Sequence, residues 1–556
     1  MNDNSSRLNL NRRQLLGAGL GIGAAALLQG CDSLWPWSSS EPNIKVFRPG
    51  MALGHLLRDQ ESWPAPSAQW SCDVLIAGSG AAALTAAWKL AREGRRDFVM
   101  IEGPEPNGNN AGTIDGELRY PTGAHYLALP SLESSHVREL LADLGTLRGD
   151  PSAQQPDYDE NVIVHAPEER LLHNGAWQEE LLPFQDDDTR RFFDFIASLH
   201  HVRGKDGRQL FVMPLALSSQ DETWRALDQQ TFAQWLSAND YRSESLIWYL
   251  NYCCRDDYGQ GIDQVSAWAG LHYFASRGGE ARHAGNGAVL TWPDGLASLS
   301  RLMRERIELQ KAPALDFTAA QKGARAMDAV VLSMTERRDG VDILLGVSVG
   351  QTWKTVQVQA AHAICAMPLY VASRVVRGLA DRGFDPERHK LTYAPWLVSN
   401  FVFDRFPKEH PGASLSWDNV VHAGKGLGYV VSTHQLIRVA RPQRTSFTAY
   451  HALDHADPGM VRTVLQMADR KSLLEMAVGD LELAYGKALW PHLTDVNITV
   501  RGHAMASPHP GYLSNQGLLA LREGGSRLLF AHSDLSGYSV FEEAAWWGYQ
   551  AALKLL

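Results

Sequence analysis

Changes in the period of apolar and polar positions mark out the elements of this chain. Asp73-Val74-Leu75-Ile76-Ala77 is a short apolar, β-branched run, which predicts a strand covered on both faces. Gly78-Ser79-Gly80-Ala81-Ala82-Ala83 interrupts it, helical spacing holds from Leu84 through Glu93, and Gly94 stops the helix. A second strand, Asp97-Phe98-Val99-Met100-Ile101, ends at Glu102. Val330–Met334 and Val341–Leu345 flank a charged stretch containing Gly340, which predicts a hairpin. Residues 135–285 and 380–500 are rich in aromatics, mix helical and strand-like patterns, and contain no internal repeat. Strand alternating with helix predicts an α/β fold with a parallel sheet.

Length and charge narrow this picture. The chain has 556 residues, and single cores stop growing near ~250–300 residues, so two interleaved domains are expected. Apolar residues make up 45% and charged ones 21%, which excludes a disordered or collagen-like chain. The 52 basic and 62 acidic side chains give a net charge of −10 without long basic runs, which argues against nucleic acid as a partner. The balance is compatible with a cationic small molecule.

The N-terminus reads as an address. Arg12 and Arg13 precede an apolar run from Leu15 to Leu28 that is too short for the ~20 residues a spanning helix needs. This arrangement resembles the bacterial twin-arginine export signal, and Leu28-Gln29-Gly30-Cys31 resembles a lipobox. The resemblances imply handling by the twin-arginine translocase, lipidation of Cys31, and a periplasmic protein held on the inner membrane. A plain N-terminal anchor and a cleaved, unlipidated signal are the alternatives. Residues 1–30 are then the signal, and residues 31–69 are expected to be a tether and an irregular segment. Besides Cys31 the cysteines are Cys72, Cys253, Cys254 and Cys365, with no spacing suited to zinc or an iron–sulfur cluster. His451 and His455 lack an HExxH frame, so no metal is expected.

Gly78, Gly80 and Ala83 form G-x-G-x-x-A inside a strand–turn–helix–strand unit that ends in an acid. Gly78 allows the tight turn and Gly80 the close approach of a pyrophosphate, while Ala83 keeps helix and strand together. The N–H groups at Ser79, Ala81 and Ala82 and the positive end of the helix dipole face the phosphates. Glu102 is placed to accept hydrogen bonds from the adenosine ribose. The reading is a dinucleotide site.

Which dinucleotide it holds is decided near the C-terminus. Leu528–Asp534, followed by Phe541-Glu542-Glu543-Ala544-Ala545-Trp546-Trp547-Gly548-Tyr549-Gln550-Ala551-Ala552, resembles the closing motif of the flavin-containing amine oxidase superfamily. Ala360–Leu369 and Trp292-Pro293-Asp294-Gly295 resemble two further segments of it, and the leader points to an exported bacterial branch. The resemblance implies a two-domain FAD-binding Rossmann-like fold of the amine oxidase/glutathione reductase type with a discontinuous α+β substrate domain. FAD-binding parts are expected at 70–134, 286–379 and 500–556, and substrate-domain parts at 135–285 and 380–499. It further implies Asp534 on the ribityl chain, Phe541 and Glu542 at the helix end facing the flavin, and Val331 on the adenine side.

Departures from the family pattern matter as well. Gly108-Asn109-Asn110 stands where the family has G-G-R, and 501–512 contains no cysteine, so non-covalent FAD is expected. Ser399 or Asn400 stands where many members carry an oxygen-activating lysine. His125, Asn400, Asp418, His422 and His434 are the candidate catalytic residues. The activity implied is oxidation of an amine, with a polyamine suiting the charge. A desaturase or dehydrogenase of an apolar substrate and a non-catalytic flavin-bound partner of a membrane complex are the alternatives.

Overall fold

The computed structural model describes residues 41–556 except 61, 286, 313–322, 350, 351, 439 and 441. Arg12, Arg13 and Cys31 therefore lie outside the described residues. The chain folds into two eight-stranded sheets flanked by helices.

The dinucleotide sheet runs in the order Gln310–Ala312, Arg325–Met327, Phe98–Ile101, Ala68–Ala77, Thr352–Cys365, Val341–Val349, Val330–Glu336, with Leu528–Phe530 also paired to Thr352–Cys365. From Gln310 to Thr352 the pairings are parallel, and the last three strands form an antiparallel meander. Val74 to Ala77 and Phe98 to Ile101 are buried throughout, as expected of strands covered on both faces. Helices Ala81–Arg92, Leu296–Ile307 and Phe541–Leu553 cover the sheet, and their apolar residues share one core with it.

The second sheet has the order Asn43–Phe47, Leu493–Ser507, Thr392–Phe403, Thr445–Ala452, Tyr429–Val431, Asp418–Val421, Glu169–His173, Ala176–Gln178. Helices Pro458–Met467 and Arg470–Tyr485 pack on it around Phe401, Phe447, Leu473 and Leu481. Residues 187–275 supply a separate helical unit, including Asp187–Leu199, Glu244–Tyr258 and Ala267–Ala275, with its own aromatic core.

Two expected boundaries move. Residues 31–69 are not irregular throughout, because Asn43–Phe47 is a strand and Met51–Asp59 a helix. The strand alternates, with Ile44 and Val46 turned toward the core, and its partner Leu493–Ser507 lies far along the chain, out of reach of a local reading. The long strand Leu493–Ser507 belongs to the second sheet throughout, so the third dinucleotide segment begins after Ser507.

Candidate active site

The G-x-G-x-x-A turn leaves strand Ala68–Ala77 at its carboxyl end. Gly78 has φ 122°, and a Cβ there would lie 2.8 Å from the Ala366 carbonyl, so both backbone angle and space demand glycine. Gly80 then caps helix Ala81–Arg92, whose first N–H groups receive no side-chain cap. Gly78, Gly80 and Ala81 are partly open to solvent, while Ser79, Ala82 and Ala83 are buried. Ser79 Oγ donates to the Glu102 carbonyl at 2.9 Å and ties the turn to the end of the second strand. Helix Phe541–Leu553 lies against this nose, and a Cβ on Gly548 would sit 2.1 Å from the Ala82 carbonyl.

Glu102 closes strand Phe98–Ile101. Its Oε1 accepts from Arg304 Nη1 at 2.7 Å, and Arg304 Nε donates to Asn107 Oδ1 at 2.8 Å. A cleft of about 250 Å³ opens beside it, with Asn107, Arg304, Leu309, Lys311 and Ala326 around it. Arg304 Nη2 is buried there without an acceptor. Val331 does not line this cleft. It sits in the meander opposite Leu345, buried in the core, and the strand that does flank Phe98–Ile101 is Arg325–Met327.

Asp534 follows strand Leu528–Phe530 and is fully buried. Its Oδ2 accepts from Tyr393 Oη at 2.6 Å and from the Leu369 N–H at 2.8 Å. Its Oδ1 has no donor, because His532 Nδ1, 3.2 Å away, is itself the acceptor of the Asp534 N–H. Asn110 Nδ2 is likewise buried without an acceptor. An uncapped helix N-terminus, an acid at the adenosine end and an orphaned carboxylate oxygen further along are what the phosphates, ribose hydroxyls and ribityl hydroxyls of FAD require. The residues present fit that group. Beside residues 108–110, Arg501 Nη1 donates to Glu105 Oε1 at 2.9 Å and Asn109 Oδ1 at 3.1 Å.

Beyond this groove lies an aromatic, acidic cavity. His125 stacks on Tyr450 at 4.4 Å between centroids and stands 4.9 Å from Tyr126 and 5.5 Å from Trp417. Ala124, His125, Tyr126, Tyr252, Asp256 and Asp418 are all only half-buried among these rings. Burial pushes the His125 ring down to about 3, so it is neutral at neutral pH. Tyr126 Oη donates to Asp256 Oδ2 at 3.2 Å. Burial, with Asp257 beside it, lifts the Asp256 carboxyl to about 6. Asp418 is raised well above the usual range by burial and by the charges of Asp256 and Glu169, the latter directly opposite it on the neighbouring parallel strand. Glu169 itself rises to about 7 through burial and Glu168. Arg277 supplies a cation here, but its guanidinium is paired with Asp257 and stacked on Tyr273.

Helix Phe541–Leu553 begins at the rim of this cavity. Glu542 is buried and its carboxyl is lifted to about 7, chiefly by burial. His136 Nε2 donates to the Glu542 carbonyl at 2.9 Å and fixes the first turn.

His125 and Asp418 thus come together, and His422 stands at the margin. Its ring is 4.7 Å from His173 and 4.6 Å from Trp248, which stacks on Tyr252. Asn400 does not face the cavity. It is fully buried and its Nδ2 clamps the Pro121 carbonyl and Thr448 Oγ1, both at 2.8 Å, beneath the segment that carries His125. His434 is a loop tie, its Nε2 donating to the His165 carbonyl at 2.7 Å. Sequence reasoning missed Asp256, Asp257 and Arg277, whose one local signal is the acidic pair at the polar end of helix Glu244–Tyr258.

A family described as an NAD(P)-binding Rossmann-like domain matches residues 76–144. No curated protein matches the chain. Among solved structures, wild-type putrescine oxidase bound to putrescine is similar over 88% of this chain and 99% of that one, with TM-score 0.60 and 16% identity. Cyclohexylamine oxidase from Brevibacterium oxydans IH-35A is similar over 87% and 98%, with TM-score 0.54 and 16% identity. The CLA-producing fatty acid isomerase from P. acnes is similar over 87% and 99%, with TM-score 0.54 and 15% identity. The chain therefore carries a Rossmann-like dinucleotide-binding domain within an amine-oxidase-like α/β fold.

Proposed function

We propose that the chain is an oxidoreductase that binds FAD non-covalently and oxidises an amine bearing a second cationic group, a diamine or polyamine. The carrying observation is the pair of carboxyl groups Asp256 and Asp418 beside Tyr126, Tyr252, Trp417 and Tyr450, with exposed Glu169 opposite Asp418, while the nearby Arg277 is already paired. Carboxylates and aromatic faces together suit an ammonium group.

Gly80, Ala81 and the helix behind them would take the pyrophosphate, Glu102 the ribose, and Asp534 Oδ1 a ribityl hydroxyl. Bound FAD supplies the two-electron acceptor for the C–H bond beside nitrogen. The chain's own part is placement and proton handling. An ammonium must lose a proton before it can give up hydride, and a carboxylate whose affinity for protons is raised toward neutrality is suited to take it. Asp256, lifted to about 6, meets that condition, and Asp418 is shifted in the same direction. Neutral His125, held flat against Tyr450, can accept a hydrogen bond from the amine without repelling a cation. The rings exclude water.

Anaerobic mixing of the purified protein with mono-, di- and polyamines tests this reading. Bleaching of the visible flavin absorption by a diamine, and less by a monoamine of equal length, is expected. Bleaching by a lipid extract alone would transfer the assignment to an apolar substrate.

The N-terminal motifs support a second part of the proposal: export through the twin-arginine translocase and a periplasmic, inner-membrane location through a lipid on Cys31. Labelled fatty acid should enter the wild-type chain and be absent from Cys31→Ala.

A further inference from the structure

Helix Pro458–Met467 turns Val461 and Leu465 inward and leaves Met460 43% and Met467 68% exposed. Half-buried Val464 lies between them, and the i, i+4, i+7 spacing puts all three on one face. Strand Asn43–Phe47 ends at this corner. Arg48, the next residue, donates to the carbonyls of Leu465 at 3.2 Å and Ala468 at 2.9 Å, so the end of the strand is tied to the last turn of the helix. Helix Met51–Asp59, which buries none of its residues fully, is tied to the same turn by a 2.8 Å bond between Gln466 and His55.

Charge completes the corner. Arg470 and Lys471 are exposed just beyond the helix. The nearby acids are already engaged: Asp457 accepts from the N–H groups of Gly459 and Met460, and Asp469 from that of Ser472. The chain preceding residue 41 says what covers this face. It carries the apolar run Leu15–Leu28 and Cys31, and the few residues from Cys31 to Glu41 reach at most ~35 Å when extended. Any membrane attachment there brings strand Asn43–Phe47, the first described element, close to lipid.

We propose that Met460, Val464 and Met467 form a membrane-resting face that dips into the bilayer interface with Arg470 and Lys471 at the headgroups. Apolar side chains ringed by lysine and arginine have this preference. The inference rests on the N-terminal attachment proposed above and is independent of the flavin chemistry.

The test uses the full chain in vesicles of phosphatidylethanolamine and phosphatidylglycerol. A polarity-sensitive probe is attached to Met467→Cys, with Phe184→Cys and Ile437→Cys as comparison sites; Cys253, Cys254 and Cys365 are buried. Brominated lipid is expected to quench the probe at 467 about twofold and to leave the other two sites unchanged, since interfacial residues lie only ~5–10 Å deep. A Met460→Glu change is expected to abolish quenching of the probe at Met467→Cys while the chain stays on the vesicles. A vesicle-bound chain with 467 unquenched overturns the face and leaves the attachment standing; failure to co-sediment overturns both. Equal quenching at all three sites marks indiscriminate adsorption and also overturns it. So does a blue shift at 467 that brominated lipid does not quench in a chain sedimenting as a dimer, which assigns the face to a second copy.

Discussion

Asp256 serves the cavity at the expense of the empty protein. Its carboxyl, lifted to about 6 by burial, stabilises the fold while protonated and loses that contribution as pH rises through 6. Asp256→Asn keeps a partner for Tyr126 Oη and removes the charge. It is expected to raise stability by ~1–3 kcal/mol at pH 8 and to leave it unchanged at pH 4, as read from thermal unfolding at both pH values. The same change should raise KM for a diamine by about tenfold or more and affect a monoamine little. Glu102 invites a second prediction: Glu102→Ala leaves Arg304 without its partner at the adenosine end, so the purified variant should carry little flavin. These two acids differ in how far the sequence announces them. Glu102 is legible because strand, turn and helix surround it within thirty-odd positions in a fixed order. Asp256 lies in a helix whose run Cys253-Cys254-Arg255-Asp256-Asp257 reads as an ordinary polar margin, and its meaning comes from Tyr126 and Asp418 on distant segments.

At the scale of elements, helices Ala81–Arg92 and Phe541–Leu553 act as one unit. With no side chain at Gly548 they meet backbone to backbone, and a methyl group there would run into the Ala82 carbonyl. Gly548→Ala is expected to cost ~2–4 kcal/mol and to reduce flavin retention, measured by denaturant unfolding and by the absorbance ratio of flavin to protein. Both helices are legible in the sequence but their contact is not, because Ala82 and Gly548 lie near opposite ends of the chain. Register was less visible. The resemblance set the adenine-side role on Val331, which lies in the meander strand Val330–Glu336, buried opposite Leu345. The short strand Arg325–Met327 that really borders Phe98–Ile101 has only three residues and no pattern to declare it. Asn400 and His434 mislead for a related reason: polar residues on buried strands and at their ends can serve backbone carbonyls, and nothing in one strand tells which way they turn.

Across the molecule, buried histidines and buried acids pull stability in opposite directions with pH. His125, His136 and His272 fall to about 3, 4 and 4 by burial, so their contribution is present above ~6.5 and is lost as pH falls toward 4. Asp256, Glu169 and Glu542, raised to about 6, 7 and 7, contribute at low pH and lose that contribution as pH rises through 7. Between pH 6 and 7 the two trends oppose each other, because the histidines of the unfolded chain lose their protons there while the folded acids lose theirs, so melting temperatures at pH 6 and 7 are expected to differ little. A bound diamine, neutralising the acids, should restore more stability at pH 8 than at pH 6. The strand Asn43–Phe47 has a consequence in time rather than space. Asn43 pairs with Asp495 across a separation of 452 residues, so the second sheet receives its first strand only after nearly the whole chain has left the ribosome. Synthesis therefore ends before this sheet can close. A nascent chain halted short of residue 493 should leave that strand open to protease, and one released in full should protect it.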